Sequence, residues 1–444
     1  MNDPVAYPAA LPSVAETPFD APRVGRFTLA NGLEIWIARR RSLPLATVQL
    51  VARGGRAYDP TGLPGLAGIL AAALKEGTAR RSAASLADLL QAAGAELVTG
   101  ASEETLAVGV TGLSEKLDVL LDAVADVVRR PAFPERDVAR VKAIAREELA
   151  TDESDPFFLA NRAFRASVFG GHPYAVVAPT AAAIDAVTPE LLRREAARRL
   201  SPSRSLLVVA GDVEPGDAES LAARVFGDWA PATEGPGPLD PAPHRLAGPR
   251  FAVVPRPGSV QATLVVGAPA LSRRNPDAAA LEVAVTIFGG AFSSRLVTNL
   301  REDKGYTYSP GSGWRSLPSG GLTRTVAAVR TDVAGAALNE ILYELRRMAT
   351  TDVTDEELER AKGCDAGKLL LAIQTNAGLA GELGEQWFHG LPPSALEERV
   401  RALRAVDAAA VRRAARRFLG VPALAVVAVG EEAALREELA PFGA

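Results

Sequence analysis

The sequence predicts an α+β protein made of two related α/β halves, and three observations lead to that fold class. The 444 residues exceed what one ordinary core needs and suit two domains of about 200 residues each. Strand-like and helix-like patterns are mixed within each half rather than separated along the chain. Both halves also end with the same two elements in the same order, which indicates an internal duplication.

The first half, residues 24–230, begins with a hairpin signal. Alternating apolar and polar residues flank Asn31-Gly32, a pair that favours a tight turn between antiparallel strands. Another strand is expected over 46–52. A helix is expected over Pro64–Glu76, because proline favours the first helical turn and Gly77 can end the helix. Further elements expected in this half are helices at 85–93, 114–128, 135–151 and 189–200 and a buried strand at 206–210.

Proline and glycine separate the two halves. Residues 231–249 contain so many of both that no regular element is expected, and we interpret this stretch as an interdomain linker. The second half comprises residues 250–444, and residues 1–23 are taken as an N-terminal extension. Elements expected in the second half are strands at 251–254 and 261–266, helices at 278–288 and 293–304, a strand-rich stretch to 330, further helices, and a final strand at 423–429.

The duplication is visible at the C-terminal ends of the two halves. The first half ends with Ala196-Ala-Arg-Arg-Leu200 followed by the apolar run Leu206–Ala210. The second ends with Ala414-Ala-Arg-Arg-Phe418 followed by Leu424–Val429. On the residues alone, two unrelated alanine–arginine helices before apolar strands remain the alternative. Because the match falls at the same place in the element order, we favour a duplicated fold.

Composition and charge argue against several classes of protein. The chain is 48% hydrophobic and 23% charged, as is typical of globular proteins, and its net charge of −4 argues against a nucleic-acid surface. Cys364 is the sole cysteine, so no intrachain disulfide can form. The N-terminus lacks the basic start and apolar run of a signal peptide, and no membrane span is expected. We expect a cytoplasmic protein, or a periplasmic one if this is a mature form whose signal was removed.

One predicted helix resembles a known metal-binding helix in everything except its metal ligands. The run Gly65-Leu-Ala-Gly-Ile-Leu-Ala-Ala-Ala-Leu-Lys-Glu-Gly-Thr78 is similar to Gly-Leu-Ala-His-x-Leu-Glu-His-x-Leu-x-x-Gly-Thr, found in the pitrilysin and mitochondrial processing peptidase family of inverted zincins. There, the two histidines bind zinc from one helix face, and the glutamate is the general base. In this chain those positions are Gly68, Ala71 and Ala72, which offer neither a ligand nor a base.

The same resemblance assigns a third metal ligand and a structural turn. Arg146-Glu-Glu-Leu-Ala-Thr-Asp-Glu-Ser-Asp-Pro156 is similar to the family's third-ligand segment and makes Glu147 the matching residue. A lone carboxylate is a poor zinc site, and a solvated helix glutamate is the plainer interpretation. His172-Pro173-Tyr174 matches another family segment and is interpreted as a turn. With no pair of histidines at metal-ligand spacing, we expect no metal or other cofactor in this chain.

The second half carries the stronger positive motif. The run from Phe288 to Ser309 contains Gly-Gly, Ser-Ser-Arg-Leu, Leu-Arg-Glu and Tyr-Ser, and resembles the C-terminal signature of the same family. The resemblance implies that Arg301 and Tyr308 hold the substrate backbone and stabilise the intermediate, from a helix end and the strand that follows Gly305. The alternative is that Arg301 pairs with a neighbouring acid such as Glu302 while Tyr308 packs at a sheet edge.

The resemblance extends from about residue 24 to the end and implies a function. It implies half of a clamshell, namely the non-catalytic, substrate-binding subunit of a heterodimeric zinc metalloendopeptidase. The expected partner is a homologous subunit of similar size that carries His-x-x-Glu-His and the zinc, and the expected substrates are peptides. The alternatives are a structural subunit without a peptidase role and a homodimeric peptide-binding shell. Neither nucleic acid nor a membrane is an expected partner.

Overall fold

The structure is a computed structural model that describes residues 19–420 and 422–443. Most of the predicted N-terminal extension, 1–23, lies outside these residues. The part that is described begins at Phe19, which packs against a hydrophobic cluster shared by both halves of the chain. The predicted α+β architecture with two related halves is confirmed, because each half forms its own mixed sheet covered by helices.

The first half forms a sheet of six strands within the described residues, in the order β1-β2-β6-β3-β5-β4. The predicted hairpin at Asn31-Gly32 is present, since β1 and β2 pair antiparallel around it and Gly32 has a φ of 87°. The buried strand predicted at 206–210 lies at the centre, parallel to β2 and antiparallel to β3. The strands are β1 (Val24–Thr28), β2 (Glu34–Arg39), β3 (Leu45–Arg53), β4 (Glu96–Ala101), β5 (Thr105–Leu113) and β6 (Ser205–Gly211).

The second half forms a sheet of five strands in the described part of the chain, in the order β7-β11-β8-β10-β9. Strand β7 runs parallel to β11 as β2 does to β6, and every other neighbouring pair in this sheet is antiparallel. The second sheet therefore repeats the order of the first without β1, as the duplication predicts. The strands are β7 (Arg250–Pro255), β8 (Gln261–Ala270), β9 (Gly311–Leu317), β10 (Gly320–Arg330) and β11 (Ala425–Gly430).

Helices cover both sheets; those predicted in the first half are present, whereas the helices at Pro156–Phe169, Ala181–Asp185 and Pro215–Phe226 were not predicted. The helix predicted over Pro64–Glu76 is shorter, and the segment predicted over 293–304 is mostly a π-helical turn, Thr298–Asp303. The helices are α1 (Leu66–Ala73), α2 (Ala83–Ala92), α3 (Leu117–Arg129), α4 (Glu135–Ser154), α5 (Pro156–Phe169), α6 (Ala181–Asp185), α7 (Pro189–Arg199), α8 (Pro215–Phe226), α9 (Ala278–Val285), α10 (Arg295–Val297), α11 (Ala334–Thr350), α12 (Asp355–Ala372), α13 (Asn376–Phe388), α14 (Ala395–Arg404), α15 (Ala408–Phe418) and α16 (Glu432–Leu439).

Each half places one helix on the sheet of the other half. Helix α5 follows α4 but packs against β8 and β11 of the second sheet, while α13 packs against β3 and β6 of the first. Phe164 of α5 is completely buried there, and its ring lies 2.9 Å from the position that a Cβ at Gly267 would occupy. The duplication relates α5 to α13, so the exchange is reciprocal. We call α5 and α13 the exchanged helices.

The stretch predicted as a linker, residues 231–249, contains no helix or strand. It is nevertheless packed against the second half. Ala242 and Leu246 are buried in the cluster that surrounds α5, and the amide of Ala242 donates a hydrogen bond to the carbonyl of Ser319 at 2.8 Å. The connection is therefore irregular in backbone but ordered by contacts.

One helical segment, Ala278–Asp303, has the length and composition that could cross a membrane. In the fold, 72% of the apolar window is buried. Leu281, Phe288 and Leu300 are each fully buried in the core of the second half. Such burial is typical of a core helix in a globular protein, and no other described segment meets the same criterion.

Candidate functional site

The site has two parts, one in each half, and the first part is built on helix α1. Gly65 precedes the helix with a φ of 80°, a conformation that favours glycine, and lies directly against Pro179. The chain leaves the helical region through Gly77, which has a φ of 101°. Ile69 and Leu70 anchor the helix in the core of the first half. The helix expected from the sequence is therefore present and packed in the core of the first half, although its metal ligands are missing.

Helices α1 and α4 enclose a cavity of about 360 Å³. Gly68 and Ala72 line it from α1, and Glu148 and Asp152 line it from α4, each pair being one helical turn apart. Ala71 instead points into the core and is 3% exposed. Glu147, the residue that the sequence frame selected as the third ligand position, does not line the cavity. Its neighbour Glu148 does, so the carboxylate facing α1 is one residue further along the helix.

The residues around this cavity do not fit a zinc ion. Glycine and alanine side chains donate no lone pair, so the acidic groups lining the cavity are Glu148 and Asp152 of α4 and Glu76, which already pairs with Arg140. Zinc in proteins takes three or four ligands from nitrogen, sulfur and oxygen in tetrahedral geometry. Residues 19–420 and 422–443 contain no group of three or more His, Cys, Asp or Glu that could hold a metal.

Restoring the two histidines should create a zinc site and identify the third ligand. A Cβ at Gly68 meets nothing within 4 Å, so Gly68→His together with Ala72→His should be tolerated. We expect zinc titration to give about one ion per chain in this double variant and no stoichiometric zinc in the wild-type chain.

Matched variants of α4 separate the two glutamates. Adding Glu148→Gln to the double variant should weaken zinc binding, whereas adding Glu147→Gln should not, because Glu147 does not line the cavity. Stoichiometric zinc in the wild-type chain would contradict the conclusion that its residues do not fit the metal.

The second part of the site lies around Arg301, on the π-helical turn Thr298–Asp303. The Arg301 guanidinium lies between two aromatic rings, with its carbon 4.7 Å from the ring centre of Phe292 and 4.5 Å from that of Tyr308. Both rings are largely exposed, at 74% and 77%. Stacking of this kind restricts the guanidinium and contributes about 0.5–1 kcal/mol per ring at an exposed position.

The structure brings the predicted pair together but places Tyr308 differently from the prediction. Gly305 has a φ of 63° and ends the helical turn, as expected. Tyr308, however, lies in the connection before β9, which begins only at Gly311, so the prediction that it lies on the strand is wrong. Its exposure also contradicts the alternative in which it packs at a sheet edge.

The neighbouring acid predicted as a competing partner of Arg301 is present. The Nε atom of Arg301 lies 3.2 Å from the Oε1 atom of Glu302. The Glu302 side chain is 58% exposed, and a contact of this kind with a solvated carboxylate contributes little to stability. The Arg301 side chain remains about one-quarter exposed, and its guanidinium has further N–H donors that a ligand could accept from.

Comparisons with known proteins identify the family. Residues 36–175 match the family profile described as "Insulinase (Peptidase family M16)", and residues 186–363 match "Peptidase M16 inactive domain". Together the two matches span most of the chain. The chain belongs to the M16 peptidase family. This confirms the resemblance drawn from the two motif regions.

Relatives and solved structures cover nearly the whole M16 chain. An uncharacterized zinc protease of Streptomyces coelicolor is 27% identical over 415 residues, covering 91% of this chain and 89% of its own. The crystal structure of a peptidase M16 inactive domain from Pseudomonas fluorescens has a TM-score of 0.86, is 26% identical, and covers 92% of this chain and 98% of its own. A protease from Helicobacter pylori, with a TM-score of 0.87 and 18% identity, covers 93% of this chain and 100% of its own and shares the fold.

Besides Glu148, sequence reasoning missed one residue around Arg301 in this M16 chain. Phe292 stands inside the quoted motif, between Gly-Gly and Ser-Ser-Arg-Leu, but nothing in the local pattern distinguishes an exposed ring there from a core residue. Only the fold shows that the chain from 288 to 309 doubles back and sets the Phe292 ring against Arg301. The signal that could have pointed to Phe292 was a large apolar residue within a run of small ones, between Gly-Gly-Ala and Ser-Ser.

Proposed function

We propose that this chain is the non-catalytic, substrate-binding subunit of a heterodimeric zinc endopeptidase of the M16 family. A homologous partner of similar length, carrying His-x-x-Glu-His, would supply the zinc and the general base that activate water. This chain would supply Arg301 and Tyr308. The cytoplasm is the proposed location, with the periplasm as the alternative for a mature secreted form.

The observation that carries the proposal is the contrast between the two parts of the site. The cavity between α1 and α4 is lined by Gly68 and Ala72 where metal ligands would be needed. The Arg301 guanidinium, in contrast, is stacked beside Tyr308 at 4.5 Å, and the Tyr308 ring is open to solvent. If the whole site were unused, there would be no reason for two exposed hydrogen-bond donors to remain side by side. A retained role in binding a ligand explains why they do.

The chemistry of the pair suits a peptide backbone. A guanidinium presents several N–H donors in a fixed plane, and a phenol adds one O–H donor next to it. Both can donate to a peptide carbonyl, and both can strengthen those bonds as negative charge develops on its oxygen. The flanking rings of Phe292 and Tyr308 hold the guanidinium ready before the peptide arrives, which lowers the ordering cost of binding.

Recovery of the chain with its natural partners tests the proposal. An affinity-tagged chain should copurify from its native cells with a homologue that carries His-x-x-Glu-His, zinc should reside in that homologue, and peptides should be cleaved only when both chains are present. Recovery as a homodimer that binds peptides would support the shell instead. Recovery in an assembly without peptidase activity would support a structural subunit.

A further inference from the structure

A groove lies next to Tyr308, between helix α5 and the strands β9 and β10. Its volume is about 500 Å³. Ser309, which follows Tyr308 directly, forms part of its wall. The groove therefore begins one residue along the chain from the pair that is proposed to hold the peptide.

Two glycines open the groove. The register of the hairpin pairs Gly311 with Val326 and Gly313 with Arg324, so these four residues share one face of the sheet. A Cβ at Gly313 would meet nothing within 4 Å, and one at Gly311 would only approach a backbone oxygen at 3.9 Å. Side chains of ordinary size here would fill the space.

Positive charge surrounds the opening. Three guanidinium groups, those of Arg165, Arg315 and Arg324, line the groove, against a single carboxylate, Glu103. The Oε1 atom of Glu103 lies 2.9 Å from Arg165 and its Oε2 atom lies 3.1 Å from Arg315. Although burial opposes its ionisation, Arg315 and Arg165 outweigh that effect and lower the pKa of Glu103 to about 2. Glu103 is thus ionised and already paired with two arginines, and the lining keeps a net charge of +2, from three positive groups and one negative.

Among the described residues, Arg324 is the lining cation without an acidic partner. Its Nη1 atom donates to the Asn161 Oδ1 atom at 2.7 Å, and Asn161 is neutral. The Arg324 side chain is exposed, and among the described residues no carboxylate lies within ion-pair distance of its guanidinium. Arg324 and Arg315 occupy diagonal positions on adjacent strands, roughly 7 Å apart in the backbone. A carboxylate can therefore approach both from the open side above Gly313.

We propose that this groove binds a carboxylate of the peptide, through Arg324 and Arg315, and so gives the subunit a preference for acidic peptides. The proposal rests on the proposed peptide-binding function. The shared chemistry is the carboxylate, which either an acidic side chain or the C-terminus of the peptide can provide. Strand β9 is an edge strand in the described residues, so an extended peptide can lie beside it while its carboxylate enters the groove.

Binding of labelled peptides to the purified protein tests the proposal. One decapeptide is made in versions that carry Asp or Asn at one central position, each with a free or amidated C-terminus, and binding is followed by fluorescence anisotropy. We expect at least one carboxylate to tighten binding roughly tenfold, the effect of one charge-assisted hydrogen bond, and the version that does so identifies the source. The gain should diminish as salt is added.

Variants of β10 provide the controls. Arg324→Gln should abolish the gain, whereas Arg330→Gln should keep it, because Arg330 lies at the far end of the same strand and pairs with Asp332. Arg324→Glu should reverse the preference towards a peptide with Lys at the variable position. The thermal midpoint of each variant shows that folding is retained.

Three outcomes overturn the proposal. If every version binds equally well and binding still depends on Arg301, the groove has no carboxylate preference and the proposed function survives. If no version binds at all, both fail. If inorganic phosphate binds in an Arg324-dependent way while the carboxylates of the peptide have no effect, the groove is a site for free anions.

Discussion

Replacing Arg301 with alanine should reduce peptide hydrolysis by the assembled pair of subunits about 10²–10³-fold, the loss typical of removing one donor to a developing oxyanion. The donor would vanish, and the Phe292 and Tyr308 rings would lose the cation between them. Arg301→Lys should recover only part of the activity, because an ammonium lacks the planar fork. Tyr308→Phe should cost roughly tenfold, since it removes only the hydroxyl and leaves the stacked ring.

Two measurements complete this test. Size-exclusion chromatography should show that the pair still assembles, because Tyr308 is exposed and Arg301 is on the surface. Lys304→Ala is the matched control, an exposed cation on the adjacent turn, and should leave kcat and KM near those of the wild type. Unchanged activity in both the Arg301 and Tyr308 variants would refute the role assigned to this pair.

Phe164→Ala is expected to lower the free energy of unfolding by about 3–5 kcal/mol, as for other fully buried phenylalanines. The ring lies where helix α5 of the first half meets β8 of the second, and a Cβ built at Gly267 would come within 2.9 Å of it. Removing the ring would leave a cavity at the contact between the two halves. We expect the residues around it to close this cavity only in part, because they belong to two separate sheets and their helices.

The control lies on the same helix. Phe157 is 47% exposed, and Phe157→Ala should cost less than about 1 kcal/mol. Urea unfolding, followed by fluorescence and by circular dichroism, gives both values. We further expect the two probes to report one transition in Phe164→Ala, because the exchanged helices couple the halves. Equal midpoints for the Phe164 and Phe157 variants would contradict the stabilising role of the Phe164 ring, and separate transitions for the two probes would contradict the coupling.

The features predicted best from the sequence were those encoded locally. The Asn31-Gly32 hairpin, the fully buried strand β6 and the helix end at Gly305 all depend on the preferences of nearby residues. The duplication was also predictable, since the same helix and strand close both halves.

Features that depend on direction or on distant contacts were not predictable. Adjacent residues on a helix point about 100° apart, so the frame around Arg146–Pro156 could not decide whether Glu147 or Glu148 faces α1. Helix α5 was not predicted, and its apolar face is explained only by the second sheet, far along the chain. The groove beside Tyr308 likewise arises from strand register, which pairs Gly313 with Arg324 and is invisible in the local sequence.

The exchanged helices constrain how a peptide could enter any chamber that this chain helps to form. A hinge at residues 231–249 would have to pull α5 off the second sheet and α13 off the first, exposing two buried helix faces at once. Cleavage of the backbone within residues 231–249 would leave α5 packed on the second sheet and α13 packed on the first. The two halves are therefore expected to move as one unit, and in the proposed pair the motion that admits a peptide would take place between the two subunits.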